Sequence, residues 1–168
     1  MQMRYDRAAA VAVAGLLFAF ACAPVQSEPM KELGVYKSGL GKFSCDVKEL
    51  GSGKMFKGIV EKSVEFDGNT YVERYMEVAS ADHPSAWKAI FIMSYDPQAK
   101  RWVRNGVDNN GDRNAATSSG WSGDVWVWEN DAVNIVITSK GANAYTFDVD
   151  VKEAGGAKRV AHGDCRRA

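Results

Sequence analysis

The sequence predicts an all-β protein, an antiparallel up-and-down β-barrel of about ten strands, on three observations. Apolar residues recur with a period of two, not 3.6, between Phe43 and Cys165. Turn signals separate these runs at intervals of about ten to twelve residues, and no helical stretch stands between them to cover a parallel sheet. Two cysteines, Cys45 and Cys165, stand at the two ends of the β-rich region, where the first and last strands of a barrel would meet.

The chain opens differently. Met1 to Arg7 carries Arg4 and Arg7 against Asp6, and Ala8 to Cys22 is unbroken apolar sequence. Such a stretch is too short to span a bilayer and has the form of a secretory signal. Residues 1–27 read as that signal, 28–40 as a linker and 41–168 as the barrel domain. Two cleavage points are available. Ala19-Phe20-Ala21 before Cys22 meets the small-x-small rule and is similar to a bacterial lipobox, in which the cysteine after the cut is acylated. It departs from that pattern at Ala19, where Leu is usual, and at Phe20, where a small residue is usual. Val25-Gln26-Ser27 before Glu28 is the other point. An acylated Cys22 would tether the protein to a membrane surface, whereas cleavage at Glu28 would release it. Either way the sequence predicts export to a bacterial periplasm.

Beyond the signal, the chain is long enough for one domain burying roughly two-thirds of its unfolded surface. Lys and Arg total 21 against 21 Asp and Glu, with no basic run, so neither nucleic acid nor an anionic membrane has an electrostatic footprint here. Of three cysteines, Cys45 and Cys165 outlast signal processing and enter an oxidising compartment, which predicts a disulfide closing the barrel. Two unpaired buried thiols are the rival reading. A metal pair lacks further Cys or His ligands close by, so no metal is expected.

The strands follow in order. Phe43, Cys45 and Val47 alternate with Ser44, Asp46 and Lys48. Phe56 to Phe66 puts Val60, Val64 and Phe66 on one face before Asp67-Gly68-Asn69 turns the chain. Thr70 to Val78 follows, then Ala86 to Tyr95, with Trp87, Phe91, Met93 and Tyr95 on one face. Ile90 and Ile92 occupy its other face, so this strand is expected to be covered on both sides. Phe91 to Glu129 then holds all but one of the five tryptophans, broken by Asp96-Pro97, Asn110-Gly111 and Ser122-Gly123-Asp124. Val133 to Ser139, Ala144 to Lys152 and Lys158 to Cys165 complete the set, joined by turns at Gly141-Ala142-Asn143 and Gly155-Gly156. Antiparallel strands in chain order argue a barrel because closure removes exposed edges.

Tyr95-Asp96, Trp102, Asp108-Asn109-Asn110-Gly111 and Gly120-Trp121 together resemble a recurring pattern in a lipocalin-like bacterial family of unknown function. The resemblance covers roughly Phe43 to Cys165. It implies a ten-stranded, calycin-type barrel with an internal pocket, distantly similar to nitrobindin and fatty-acid-binding barrels. It implies no reaction and carries over no catalytic residue. Nitrobindins hold haem through a histidine near the C-terminus, and His162 is the one match; their Gly- and Trp-containing opening motif is absent from Gly41-Lys42-Phe43-Ser44-Cys45. A lone His on a terminal strand reads first as a structural residue, and no cofactor is expected.

Other constellations read as structure. Asp108-Asn109-Asn110-Gly111-Asp112 offers oxygen ligands, but its glycine and following residues miss the spacing of a calcium loop, and a hairpin tip explains it. Asp82-His83-Pro84 falls in a loop, and no Gly-x-Ser-x-Gly accompanies it. With two histidines in the chain there are few imidazole bases, so the protein is not expected to be an enzyme. The carboxylate pairs Glu73/Glu77 and Asp148/Asp150 fall at strand spacing and read as solvated outer faces.

The aromatic residues frame the functional expectation. Trp87, Tyr95, Trp102, Arg104, Trp121, Trp126 and Trp128 are the candidate ligand-binding set, with Arg104 or Asn105 orienting a polar group. Packing of a small barrel is the competing use for the same indoles. Arg104 shares a strand face with Trp102, and an arginine inside a barrel must be hydrated or paired, pairing implying a carboxylate such as Asp108 or Glu73 nearby. The leading reading is therefore an exported binding module for a small, partly apolar or amphipathic molecule. A structural envelope lipoprotein and, further off, an enzyme or haem barrel are the alternatives.

Overall fold

The computed structural model describes residues 39–168 apart from Ser85. The expected signal over residues 1–27, with Cys22, and almost all of the expected linker lie outside the described residues. The strands are β1 (Gly41–Glu49), β2 (Met55–Glu65), β3 (Thr70–Val78), β4 (Lys88–Asp96), β5 (Arg101–Asp108), β6 (Arg113–Ser118), β7 (Trp121–Ser122), β8 (Val125–Glu129), β9 (Val133–Ser139), β10 (Ala144–Glu153) and β11 (Gly156–Arg167). Ten of these are staves of a closed antiparallel barrel. The eleventh, β7, is a two-residue strand folded back on β8 through Trp121↔Trp126 and Ser122↔Val125. Neighbours in sequence are neighbours in space, and β1 pairs with β11 to bring the ends together. The expected all-β, up-and-down barrel is what the chain forms.

The period-two pattern decides what faces inward. Phe43, Cys45 and Val47 of β1 are buried, while their alternates are exposed. Cys45 stands opposite Cys165 in the β1–β11 register, and the two form the expected disulfide inside the barrel. Two close approaches require glycine. A Cβ at Gly106 on β5 would collide with the ring of Phe91 on the adjacent β4, and one at Gly163 on β11 would collide with the ring of Phe147 on β10. Each ring lies flat over a cross-strand glycine and leaves room in the lumen that a side chain there would occupy.

The last seam is built differently from the first. β6 and β8 meet through Thr117↔Glu129 alone, with the Asn130 amide reaching across to the Ala115 carbonyl at 3.0 Å. Inside that seam lie the indoles. Trp102 packs on Trp126 at 5.2 Å between ring centroids, Trp121 on Trp126 at 5.2 Å, and Trp126 stacks on Trp128 at 5.0 Å. Tyr95 meets Trp102 edge-on at 5.7 Å. Large rings fill the lumen where the strands exchange fewest backbone hydrogen bonds.

Three expectations about faces need correction. Phe66 does not extend β2: it takes a positive φ of 50° in a short 3-10 turn and is 74% exposed. The outer face of β4 is not covered as expected, since Ile92 is 48% exposed. Asp148 lies on the outer face as expected but is buried there. Its carboxylate is bonded to His162 Nδ1 at 2.6 Å and paired with Arg159 at 3.1 Å. Arg159 also reaches Asp150 at 2.9 Å. A bulge between β10 and β11 brings these groups together by shifting the register after Val149.

Candidate functional site

One end of the lumen is filled and the other is open. The filled end holds Phe43, Tyr71, Met93, Trp102, Trp126 and the disulfide. Above it lies a cavity of about 360 Å³. Its apolar wall comes from nearly every strand, including Val47, Phe56, Val60, Phe91, Ile135 and Phe147. Its polar wall is narrower: Glu73, Tyr75 and Glu77 from β3, Arg104 from β5, Asn114 from β6, and Asn130.

Arg104 anchors the polar wall. It is 7% exposed, its guanidinium carbon sits 3.5 Å from the centroid of the Phe91 ring, and Nη2 lies 3.9 Å from Glu73 Oε1. The stacked ring covers one face of the guanidinium plane, whose N–H groups point outward along its edges. The carboxylate at 3.9 Å is an ion-pair partner beyond hydrogen-bond distance. The local cause of this placement is the β4–β5 register, in which Gly106 lies across from Phe91 and frees space for the ring.

Lys62 lies behind this wall, directly across from Glu73 in the β2–β3 register. It is 3% exposed, with Nζ 3.6 Å from the centroid of the Tyr145 ring and 5.0 Å from that of Phe43. Burial lowers its pKa from 10.5 to about 8, partly opposed by the negative charge of Glu73. Tyr75, between the two glutamates on β3, has its phenol pKa raised by burial and then by Glu77 and Glu73, so it stays a neutral phenol.

At the mouth, the chain joining β3 to β4 folds inward. His83 stacks on Phe56 at 4.4 Å with the rings nearly parallel, and its Nε2 shares a 2.7 Å hydrogen bond with Glu77. The same carboxylate accepts the Trp87 backbone N–H at 2.9 Å. The Trp87 indole donates to Asp108 Oδ2 at 2.8 Å. That bond, with backbone N–H groups of the hairpin tip, holds the Asp108 carboxyl below its usual pKa. The Asp108–Asp112 segment is thus the expected hairpin tip, with Asp108 Oδ1 accepting from Asn110 and Asp112.

The seven candidate residues divide. Trp87, Arg104 and Trp128 line the cavity. Trp102, Trp121 and Trp126, with Tyr95, form the aromatic packing beneath it and at the seam. Asn105 points out of the barrel. The indole N–H of Trp128 is buried without a hydrogen-bond partner among the described residues. His162 sits on the outer face in the Asp148 network, away from the lumen.

Glu73 and Glu77 overturn an expectation, because they face inward and line the cavity instead of a solvated outer surface. The phase of β3 is the reason. Tyr71, Glu73, Tyr75 and Glu77 share one face, and the tyrosines claim the lumen for it. Val72 and Met76 on the opposite face blur that signal in the sequence. Of the two carboxylates expected near Arg104, the partner is Glu73; Asp108 is taken by Trp87.

No family model matches the chain, and no curated protein aligns with it. The closed antiparallel barrel is consistent with a lipocalin-like fold, and the fold is as far as that likeness reaches.

Proposed function

We propose that the protein is an exported binding protein of lipocalin type that takes a small, partly apolar molecule into the open end of its barrel. The cavity, with the buried Arg104 paired to a half-buried Glu73 in its wall, carries this reading. A barrel built only for packing would fill both ends as the indoles fill one. Here some 360 Å³ is enclosed by apolar walls and a few convergent polar groups, the usual composition of a small-molecule site. The volume is at the low end for such sites, which argues for a small ligand.

The test is native mass spectrometry of protein purified from its own periplasm. A co-purified small molecule is expected, and Arg104→Ala should weaken its binding by more than tenfold with the melting temperature little changed. Protein that carries no small molecule and binds no apolar probe would leave a structural role in the envelope as the better reading.

Export is part of the proposal. The internal disulfide supports it, since such bonds persist in oxidising compartments. A lipid anchor at Cys22 is tested by phase partitioning. Cys22→Ser should move the protein from the detergent phase to the soluble fraction, whereas wild-type protein already soluble with Glu28 or Ala23 at its N-terminus would exclude the anchor.

A further inference from the structure

We infer that the ligand is uncharged, a carboxamide or lactam on an apolar body, held by hydrogen bonds to the side chains of Asn114 and Tyr75. This rests on the reading of the cavity as a binding site, and it follows from which polar groups of its wall lack a partner.

The charged groups that line the cavity are engaged within the protein. Glu77 bonds His83 Nε2 at 2.7 Å and accepts the Trp87 backbone N–H at 2.9 Å. Glu73 and Arg104 pair with each other at 3.9 Å, and the guanidinium also stacks on Phe91. Asn130 is engaged too: its amide donates to the Ala115 carbonyl and accepts from the Ala132 and Val133 backbone N–H groups. A charged ligand would have to draw one of these carboxylates or the guanidinium away from its partner.

Two uncharged groups stand apart. The Asn114 amide and the Tyr75 hydroxyl line the cavity, and neither has a hydrogen-bond partner among the described residues. Both heads lie over glycines on the neighbouring strand. A Cβ at Gly106 would meet Asn114 Oδ1 at 3.1 Å, and one at Gly58 would meet the Tyr75 hydroxyl at 3.0 Å. Burial and the two glutamates keep Tyr75 a neutral phenol, able both to donate and to accept. A hydrocarbon entering the cavity would cover both groups and leave them without water or partner, which is costly.

An amide answers Asn114 directly. Its carbonyl and N–H match the N–H and carbonyl of the asparagine side chain in two parallel hydrogen bonds, with no charge carried into the barrel. The Tyr75 hydroxyl can donate to a carbonyl or accept from an N–H of the same molecule. Arg104 then counts through the wall it builds, since it holds the Phe91 ring that shares the space over Gly106 with the Asn114 amide. The rest of the lining, with Phe56, Trp87, Ile135 and Phe147, takes the apolar body.

The experiment compares four probes of similar shape on the purified full chain, by calorimetry and tryptophan fluorescence: 3-phenylpropanamide, 3-phenylpropionate, 3-phenylpropylamine and propylbenzene. The amide is expected to bind at least about tenfold more tightly than each of the others. Asn114→Leu should abolish its advantage over propylbenzene, and Tyr75→Phe should reduce it, while propylbenzene itself binds both variants as it binds wild type. Retained propylbenzene binding shows that the variants keep the folded cavity. A charged analogue or propylbenzene binding as tightly as the amide overturns the inference and leaves the cavity reading in place. So does an amide advantage that survives in both variants. Failure of all four probes sinks both readings.

Discussion

Replacing Cys45 and Cys165 together by alanine is expected to remove about 4–5 kcal/mol of stability and to lower the melting temperature by on the order of 10–20 °C. The disulfide joins residues 120 apart, from the first strand to the last, so it constrains nearly the whole unfolded domain. Loop-closure entropy grows with that separation, and few single bonds in a chain of this size restrict so much of it. The two residues are directly opposed in the β1–β11 register. Alanine is the right probe because a serine hydroxyl in this apolar interior would bury an unsatisfied polar group. Cys45 and Cys165 are 0% and 1% exposed, so reductant should act on the unfolded chain and leave the folded barrel oxidised. Denaturant melts of the variant against wild type, with and without reductant, measure the difference. Peptide mapping without reduction should recover the two cysteines linked. A double variant within 1 kcal/mol of wild type would show that strand pairing, not the cross-link, closes the barrel.

The barrel was legible because its two strongest signals are local. Alternation in Phe43–Val47 and in Tyr145–Val151 marks strands without reference to anything distant, and the hairpin tip at Asp108–Gly111 carries its own turn chemistry. Cysteines at the two ends of the β-rich region then suffice to predict which strands meet. The site was only half legible for the opposite reason. Arg104 declares itself as a charge in phase with Trp102, but whether a given indole lines a cavity or plugs the lumen depends on which end of the barrel it reaches. That is set by strand tilt and by the thin β6–β8 seam, neither of which has a residue-level signature. Glu73 and Glu77 were lost to a genuine ambiguity in β3, where both faces carry large apolar residues and the ordinary expectation for a glutamate is solvent. Two glycines, Gly106 and Gly163, make room by carrying no side chain, and their neighbours' rings become visible only with the register in hand.

Lys62→Met is expected to stabilise the fold at pH 7 by about 1–3 kcal/mol, the reverse of what removing an ion-pair member usually does. Lys62 is 3% exposed and its folded-state pKa falls to about 8, which means that burial costs its ammonium more than Glu73 and the Tyr145 ring return. The fall from 10.5 corresponds to a penalty of order 3 kcal/mol. Methionine keeps an unbranched stem of similar length in contact with Phe43 and Tyr145 and removes the charge. The pH dependence separates this cause from generic packing. Between about 8 and 10.5 the unfolded chain holds a proton on Lys62 that the folded chain has released, so wild-type stability gains from rising pH in that window. Below it both states are protonated and the full penalty stands; above it both are neutral and the penalty is gone. The advantage of Lys62→Met over wild type should therefore be constant below about pH 8 and shrink steadily towards pH 10.5. Urea melts of the pair at pH 7 and pH 10 measure it as a difference, in which the other titrating lysines and tyrosines cancel. An advantage of the same size at both values would assign the effect to packing, and a variant less stable than wild type at pH 7 would mean that Lys62 holds Glu73 in place more strongly than burial opposes it.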